Sequence, residues 1–182
     1  MPVIDPPKLS AKRGSVNAAD IYGLVGASLS WWEASEDVLM GLFKTICLDK
    51  EPLAFETYVK SPRNRRSEML KSAIKRYEQR FQNDEIKQVR VALKELDNLA
   101  SVRNEIAHGH CCEYESTENG KVGMSGHYLM PSINEGVWHE RTHRYVHTVE
   151  SMALFTKNIR QCRSTIMDVH IAMTLRDQKE QP

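Results

Sequence analysis

The sequence predicts an all-α protein, an antiparallel bundle of long helices with a small β-hairpin insertion between the last two, and three observations carry that prediction. Apolar residues recur at three- and four-residue spacing along four separate stretches, the signature of amphipathic helices. Between the last two stretches, residues 109 to about 147 hold Gly109, Gly120, Gly123, Gly126 and Gly136, five of the nine glycines in the chain. The 182 residues are 41% hydrophobic and 27% charged, enough to bury one core and too apolar for a disordered chain. A single domain over 17–176 is expected, preceded by an arm (1–16) and followed by a tail (177–182).

The arm carries Pro2, Pro6 and Pro7 and no periodic pattern, so it reads as loose or loosely docked. Asn17 is a candidate N-cap. From there Ile21, Leu24, Val25, Ser28, Trp31, Trp32, Ser35, Val38, Leu39, Leu42, Phe43 and Ile46 fall on one face of a long helix. The paired tryptophans widen that face, and core packing is their simplest use. After a loop holding Pro52, Ser61 and Pro62, Leu70, Ile74, Tyr77 and Phe81 mark a second helix. A third runs from about Asp84 to His108, with Ile86, Val89, Leu93, Leu96, Leu99, Ala100, Arg103 and Ile106 inward. Gly109 then reads as a left-handed stop. In the glycine-rich stretch, Asn119-Gly120 is a hairpin-turn pair, and short strands are expected at Tyr128–Met130 and at Arg141–His147. Thr148 should cap the final helix, whose stripe is Val149, Met152, Phe155, Ile159, Cys162, Ile166, Val169 and Met173.

Charge and composition exclude several classes. Lys plus Arg number 25 against 24 Asp plus Glu, so the chain is no general polycation and any nucleic-acid contact must be local. The longest uncharged stretches, Ile21 to Trp32 and Val122 to Asn134, are shorter than the roughly 20 apolar residues of a bilayer span. No transmembrane helix, membrane partner or secretory signal is therefore expected, and a cytoplasmic location follows. Cys47, Cys111, Cys112 and Cys162 are far apart or adjacent, which is no disulfide framework, so reduced thiols are expected. Phosphate-binding glycine loops, serine-hydrolase elbows and dinucleotide fingerprints are absent from the sequence.

The second helix is locally basic. Between Lys60 and Arg80, eight Lys and Arg face only Glu68 and Glu78, an excess of six. Arg65, Arg76 and Arg80 share one flank of its apolar stripe, and Lys71 and Lys75 the other. Two readings stand side by side: a solvated face, or a track for a phosphate backbone formed by Arg63, Arg65, Arg66, Lys71, Lys75, Arg76 and Arg80.

The most informative run is Arg103-Asn104-Glu105-Ile106-Ala107-His108-Gly109, because Arg103 falls where the helix expects a core residue. An unpaired guanidinium in an apolar interior costs several kcal/mol, so Arg103 must meet a carboxylate, an anionic ligand or an opening. With Arg103 as origin, Asn104 lies at about 100° and His108 at about 140°, so the three side chains share a sector at the helix end. Such a trio has the parts for RNA cleavage by a ribose 2′-hydroxyl: an imidazole to carry the proton, a guanidinium to stabilise the phosphorane and an amide to orient. The alternative is structural, with Arg103 on a core carboxylate and His108 on the last carbonyls. Glu105 points about 200° from Arg103 and reads as a surface or inter-helix ion pair.

Arg103 to His108 resembles the R-x4-6-H motif of the HEPN superfamily (higher eukaryotes and prokaryotes nucleotide-binding domain), including the polar residue after the arginine. In that family the motif ends the third long helix of a four- to five-helix bundle and is followed by an insertion and a closing helix. Gly126-His127-Tyr128-Leu129-Met130-Pro131 is similar to a "GYYL-P" run in a group of uncharacterised bacterial HEPN-like proteins. The resemblance implies a homodimer with Arg103, Asn104 and His108 of both subunits around one cleft. The activity it implies is a metal-independent endoribonuclease leaving a 2′,3′-cyclic phosphate, with RNA as substrate and no cofactor. Many relatives act in toxin–antitoxin, stress or phage-defence systems, where any antitoxin or regulatory partner here would be a separate chain. Others are non-catalytic modules that bind nucleotides or proteins.

Zinc at His108, His110, Cys111, Cys112 and His127 is disfavoured, since adjacent cysteines do not make the spaced pair of a structural site. His139, His143 and His147 share a face and are expected to be solvated or to contact phosphate.

Overall fold

A computed structural model describes residues 13–47, 51–118, 121–131 and 146–180. The chain is mostly helical with one small antiparallel sheet. In order, the elements are α1 (Ala18–Cys47), α2 (Pro52–Lys60), α3 (Arg63–Arg76), α4 (Asn83–His108), β1 (His110–Glu118), β2 (Lys121–Met130) and α5 (Val149–Glu180). It packs as two compact units. One comprises the described residues of Met1–Trp31 and Leu99–Lys157, the other those of Trp32–Asn98 and Asn158–Pro182. Among the described residues, no helix is long and apolar enough to cross a membrane.

The long helices begin where the caps predict. Ala19 N–H donates to Asn17 Oδ1 at 2.9 Å, satisfying one of the first-turn donors of α1. At α5, Ser151 N–H donates to Thr148 Oγ1 at 3.2 Å while Thr148 N–H donates to Ser151 Oγ at 2.9 Å, a reciprocal box with serine in place of the usual glutamate. The stripes bury as expected: Ile21, Trp32, Leu42 and Ile46 on α1, Val89, Leu93, Leu96 and Ile106 on α4, and Met152, Phe155, Ile159, Ile166 and Met173 on α5. The last helix runs on to Glu180, beyond the expected boundary at 176, and Arg176 grips both carboxylate oxygens of Glu85 at 2.7 Å.

The region between α1 and α4 differs from expectation. Pro52 starts a helix instead of a loop, because proline at the first helical position gives up only a donor that would be unsatisfied anyway. Of the nine residues of α2 only Tyr58 is buried, stacked on Phe43 at 4.2 Å, so no stripe announces the helix. The next helix starts at Arg63 and stops at Arg76; a 3-10 turn over Glu78–Arg80 follows, and Phe81 is extended. Two anchors hold that turn: Tyr77 donates its hydroxyl to Glu51, and Arg80 donates to the carbonyls of Thr45 and Ile46 at 2.7 Å, completing the C-terminus of α1.

In the first unit, β1 pairs with β2 from His110 opposite Met130 to Glu118 opposite Lys121, with a bulge at Ser116/Thr117. The strand partner of Tyr128–Met130 is His110–Cys112, a segment the sequence pattern did not mark as a strand. Of the strand expected at Arg141–His147, Arg141–Tyr145 lie outside the described residues, while His147 bridges Leu129 from the edge opposite β1. Asn119-Gly120, where a hairpin turn is expected, arm residues 1–12 and tail residues 181–182 also lie outside them. Ser15, at the end of the arm, bridges His127 on the same edge, with backbone hydrogen bonds of 3.0 and 2.8 Å.

This docking explains one glycine and corrects another. Gly126 has φ +120°, and a Cβ there would meet Gly14 C at 2.8 Å, so a side chain would be both strained and obstructed. The left-handed glycine expected at Gly109 is absent, since Gly126 is the only glycine with positive φ among the described residues. Gly109 is required instead by close approach: an added Cβ would sit 2.8 Å from Leu129 Cγ and 2.9 Å from Glu105 O.

Candidate functional site

The last two turns of α4 carry the polar trio. Arg103 is half-buried and donates from Nη1 to Asn104 Oδ1 at 3.4 Å, while Asn104 and His108 are exposed. Arg103 is thus shallower than a core position would be, with its stem packed and its head beside a solvent-facing amide. No hydrogen bond joins Asn104 to His108 among the described residues, although the two are helical neighbours at i, i+4. His108 is the last helical residue, and the hairpin begins two residues later. The arrangement offers a guanidinium, an amide and an imidazole along one short stretch of surface. That combination can bind an anion and exchange a proton.

Glu105, between them in sequence, takes a different role. His147 Nε2 lies 2.9 Å from Glu105 Oε2, and the carboxylate can only accept, so the imidazole donates. Burial pushes the His147 pKa below the usual histidine value, and the hydrogen bond and charge of Glu105 restore only part of it. His147 is consequently a neutral, buried strut. It is pinned by its ring to α4 and by backbone hydrogen bonds of 3.0 and 2.8 Å to Leu129, which corrects the expectation of a solvated or phosphate-contacting group. Sequence reasoning missed this pair because its members are 42 residues apart. The one available hint was the position of His147 directly before the Thr148 cap. His139 and His143 lie outside the described residues.

The sulfur and imidazole groups of the hairpin do not converge. Successive strand residues face opposite sides, which separates Cys111 from Cys112. Cys112 Sγ turns to Met130 Sδ at 3.1 Å, and His127 Nδ1 contacts Ser15 O at 3.2 Å. Burial raises the pKa of both cysteine thiols. Among the described residues, no three His, Cys, Asp or Glu side chains are placed to hold a metal ion.

The basic residues 63–80 belong to the second unit and are organised by two acids absent from the sequence reading. Glu36 is 7% exposed, and it receives Arg63 Nε at 2.9 Å and Arg66 Nη2 at 3.2 Å. Asp97 takes Lys71 Nζ at 2.9 Å, Ser67 Oγ at 3.1 Å and Arg63 Nη1 at 3.4 Å. Burial alone would raise the Asp97 pKa, but Lys71 leads a set of hydrogen bonds and charges that outweigh it and leave the carboxyl below its ordinary value. Arg63 also lies over the Trp32 ring, 4.6 Å from its centroid. Arg76 pairs with Glu51, and Arg80 with Asp177. Because α3 ends at Arg76, the flank shared by Arg65, Arg76 and Arg80 does not extend to Arg80, whose guanidinium turns to the end of α1. Arg65 and Lys75 are exposed and have no ion-pair partner among the described residues. A weak signal for Glu36 existed: it falls four residues after Trp32, at the edge of the apolar stripe.

No protein-family model matches this chain, and neither the curated proteins nor the solved structures offer a match.

Proposed function

We propose that the chain is a HEPN-like helical bundle that dimerises and cleaves RNA without a metal ion. The observation that carries this reading is the placement of Arg103, Asn104 and His108 together on the last two turns of the long helix preceding the hairpin, with Asn104 and His108 open to solvent. In the reaction, a ribose 2′-oxygen attacks the adjacent phosphorus, the P–O2′ bond forms and the P–O5′ bond breaks. The products are a 2′,3′-cyclic phosphate and a 5′-hydroxyl. One imidazole takes the 2′-hydroxyl proton, and a second protonates the leaving 5′-oxygen; in a homodimer these are His108 of each subunit. Arg103 stabilises the charge gathered on the phosphorane, and Asn104 orients a phosphate oxygen. A role in toxin–antitoxin, stress or phage defence, inside the cytoplasm, fits such an activity.

The test uses purified protein, single-stranded RNA and EDTA, with end-group analysis of the products. The reading expects 2′,3′-cyclic phosphate ends from wild type and none above background from His108→Ala. Equal background products from both, across varied RNAs, would overturn it.

One observation favours a second reading, a non-catalytic dimeric module that binds a nucleotide or a protein anion. Five of the seven basic residues between Arg63 and Arg80 are in ion pairs, which leaves Arg65 and Lys75 as the available cations of that segment for a polynucleotide. In that case Arg103→Ala abolishes saturable binding while His108→Ala leaves it intact.

A further inference from the structure

The groove between α3 and α4 is a second candidate site, and it lies wholly within the second unit. Its volume is about 330 Å³, and Lys71, Ile74, Arg90, Leu93, Lys94 and Asp97 line it. Small-molecule sites begin near 300 Å³, so the space suits a compact ligand. Ile74 and Leu93 are buried and make an apolar floor; the remaining four are charged. Asp97 is committed to Lys71, Ser67 and Arg63, which leaves Arg90 and Lys94, on the same helix as Asp97, as the remaining charged lining groups. Arg90 and Lys94 stand one helical turn apart on α4. Arg90 meets Glu78 at 3.4 Å with both side chains about half exposed, a pairing that water weakens. Lys94 is exposed and has no ion-pair partner among the described residues.

We propose that this groove binds a small amphipathic organic anion, its apolar body on Ile74 and Leu93 and its carboxylate or phosphate head between Arg90 and Lys94. With three cations against one carboxylate in the lining, the groove disfavours cations, and its apolar residues favour an anion with an apolar body over a bare inorganic one. Arg103 and His108 take no part, so this proposal stands or falls independently of RNA cleavage.

The experiment is an NMR titration of the full chain, labelled in backbone amides and isoleucine methyls. The probes are octanoate and octyl phosphate, with 1-octanol and inorganic phosphate as controls. The Ile74 methyl and the Arg90 and Lys94 amides are expected to shift together and saturate, with octanol and inorganic phosphate at least about tenfold weaker. Whichever of the two anions binds more tightly identifies the preferred head group. Arg90→Gln with Lys94→Gln should weaken the better anion about tenfold or more, while Lys75→Gln, outside the lining, should leave it unchanged. The proposal is overturned if neither anion saturates by about 10 mM, if octanol binds as well as octanoate, or if the double variant binds equally.

Discussion

On α3 the guanidinium groups of Arg63 and Arg66 end on a buried carboxylate, whereas at the end of α4 Asn104 and His108 present their polar ends to solvent. Both stretches look like candidate anion-binding surfaces in sequence. On α3 the decisive groups are acids remote in sequence. Glu36 and Asp97 reach α3 from positions some 26 to 34 residues away and convert a basic stripe into a scaffold. Beside the α4 trio, the nearest acid in sequence, Glu105, is turned to His147 instead. A run of cations therefore says little about nucleic acid until its carboxylate partners are known.

The largest effect that sharpens this contrast is on stability. Glu36→Gln leaves two guanidinium groups facing a neutral amide, and removing one partner of a buried ion pair costs about 3–5 kcal/mol. Denaturant unfolding should show that loss; a change below about 1 kcal/mol would mean that Glu36 is not what organises α3. In the first unit, Gly126→Ala places a Cβ at φ +120° against Gly14, with an expected cost of about 1–3 kcal/mol. An unchanged midpoint would show that the Ser15 bridge is not maintained in solution.

A pH effect comes next. Burial depresses the pKa of His147 and of His170 in the native state. Below the unfolded value near 6.5 the unfolded chain binds protons that the native chain resists, so stability is full above that pH. It is lost as pH falls toward the native values. His147→Gln should flatten the decline, and a stability that is level or rising from pH 7 to 5 would contradict the burial. The smallest effect is expected at the trio itself: Asn104→Ala should change unfolding free energy by no more than about 0.5 kcal/mol, because the side chain is exposed.

These outcomes bear on what the sequence makes legible. Helices α1, α4 and α5 declare themselves because each keeps an apolar stripe, and α1 and α5 add a side-chain cap at the start. By contrast α2, with Tyr58 alone buried, offers no period to read. The first strand was readable in principle: Glu113 and Glu115 are exposed while Cys112 and Tyr114 pack toward Tyr128 and Met130, a clean alternation beside a glycine-rich stretch. The trio was visible because it spans less than two turns of one helix, where spacing fixes direction. The Glu105–His147 strut and the Glu36 and Asp97 anchors were not, because long-range pairing is set by tertiary packing rather than local pattern.

The most direct test of the central claim compares the two regions in one single-turnover assay, with one fluorescent RNA in EDTA at low and high salt. His108→Ala should slow cleavage by about 10²–10⁴-fold. Arg65→Gln with Lys75→Gln should retain the rate at saturating protein and reduce the salt slope of binding by no more than about two. Equal rates for wild type and His108→Ala, or loss of the chemical step only in the Arg65/Lys75 variant, would contradict that claim.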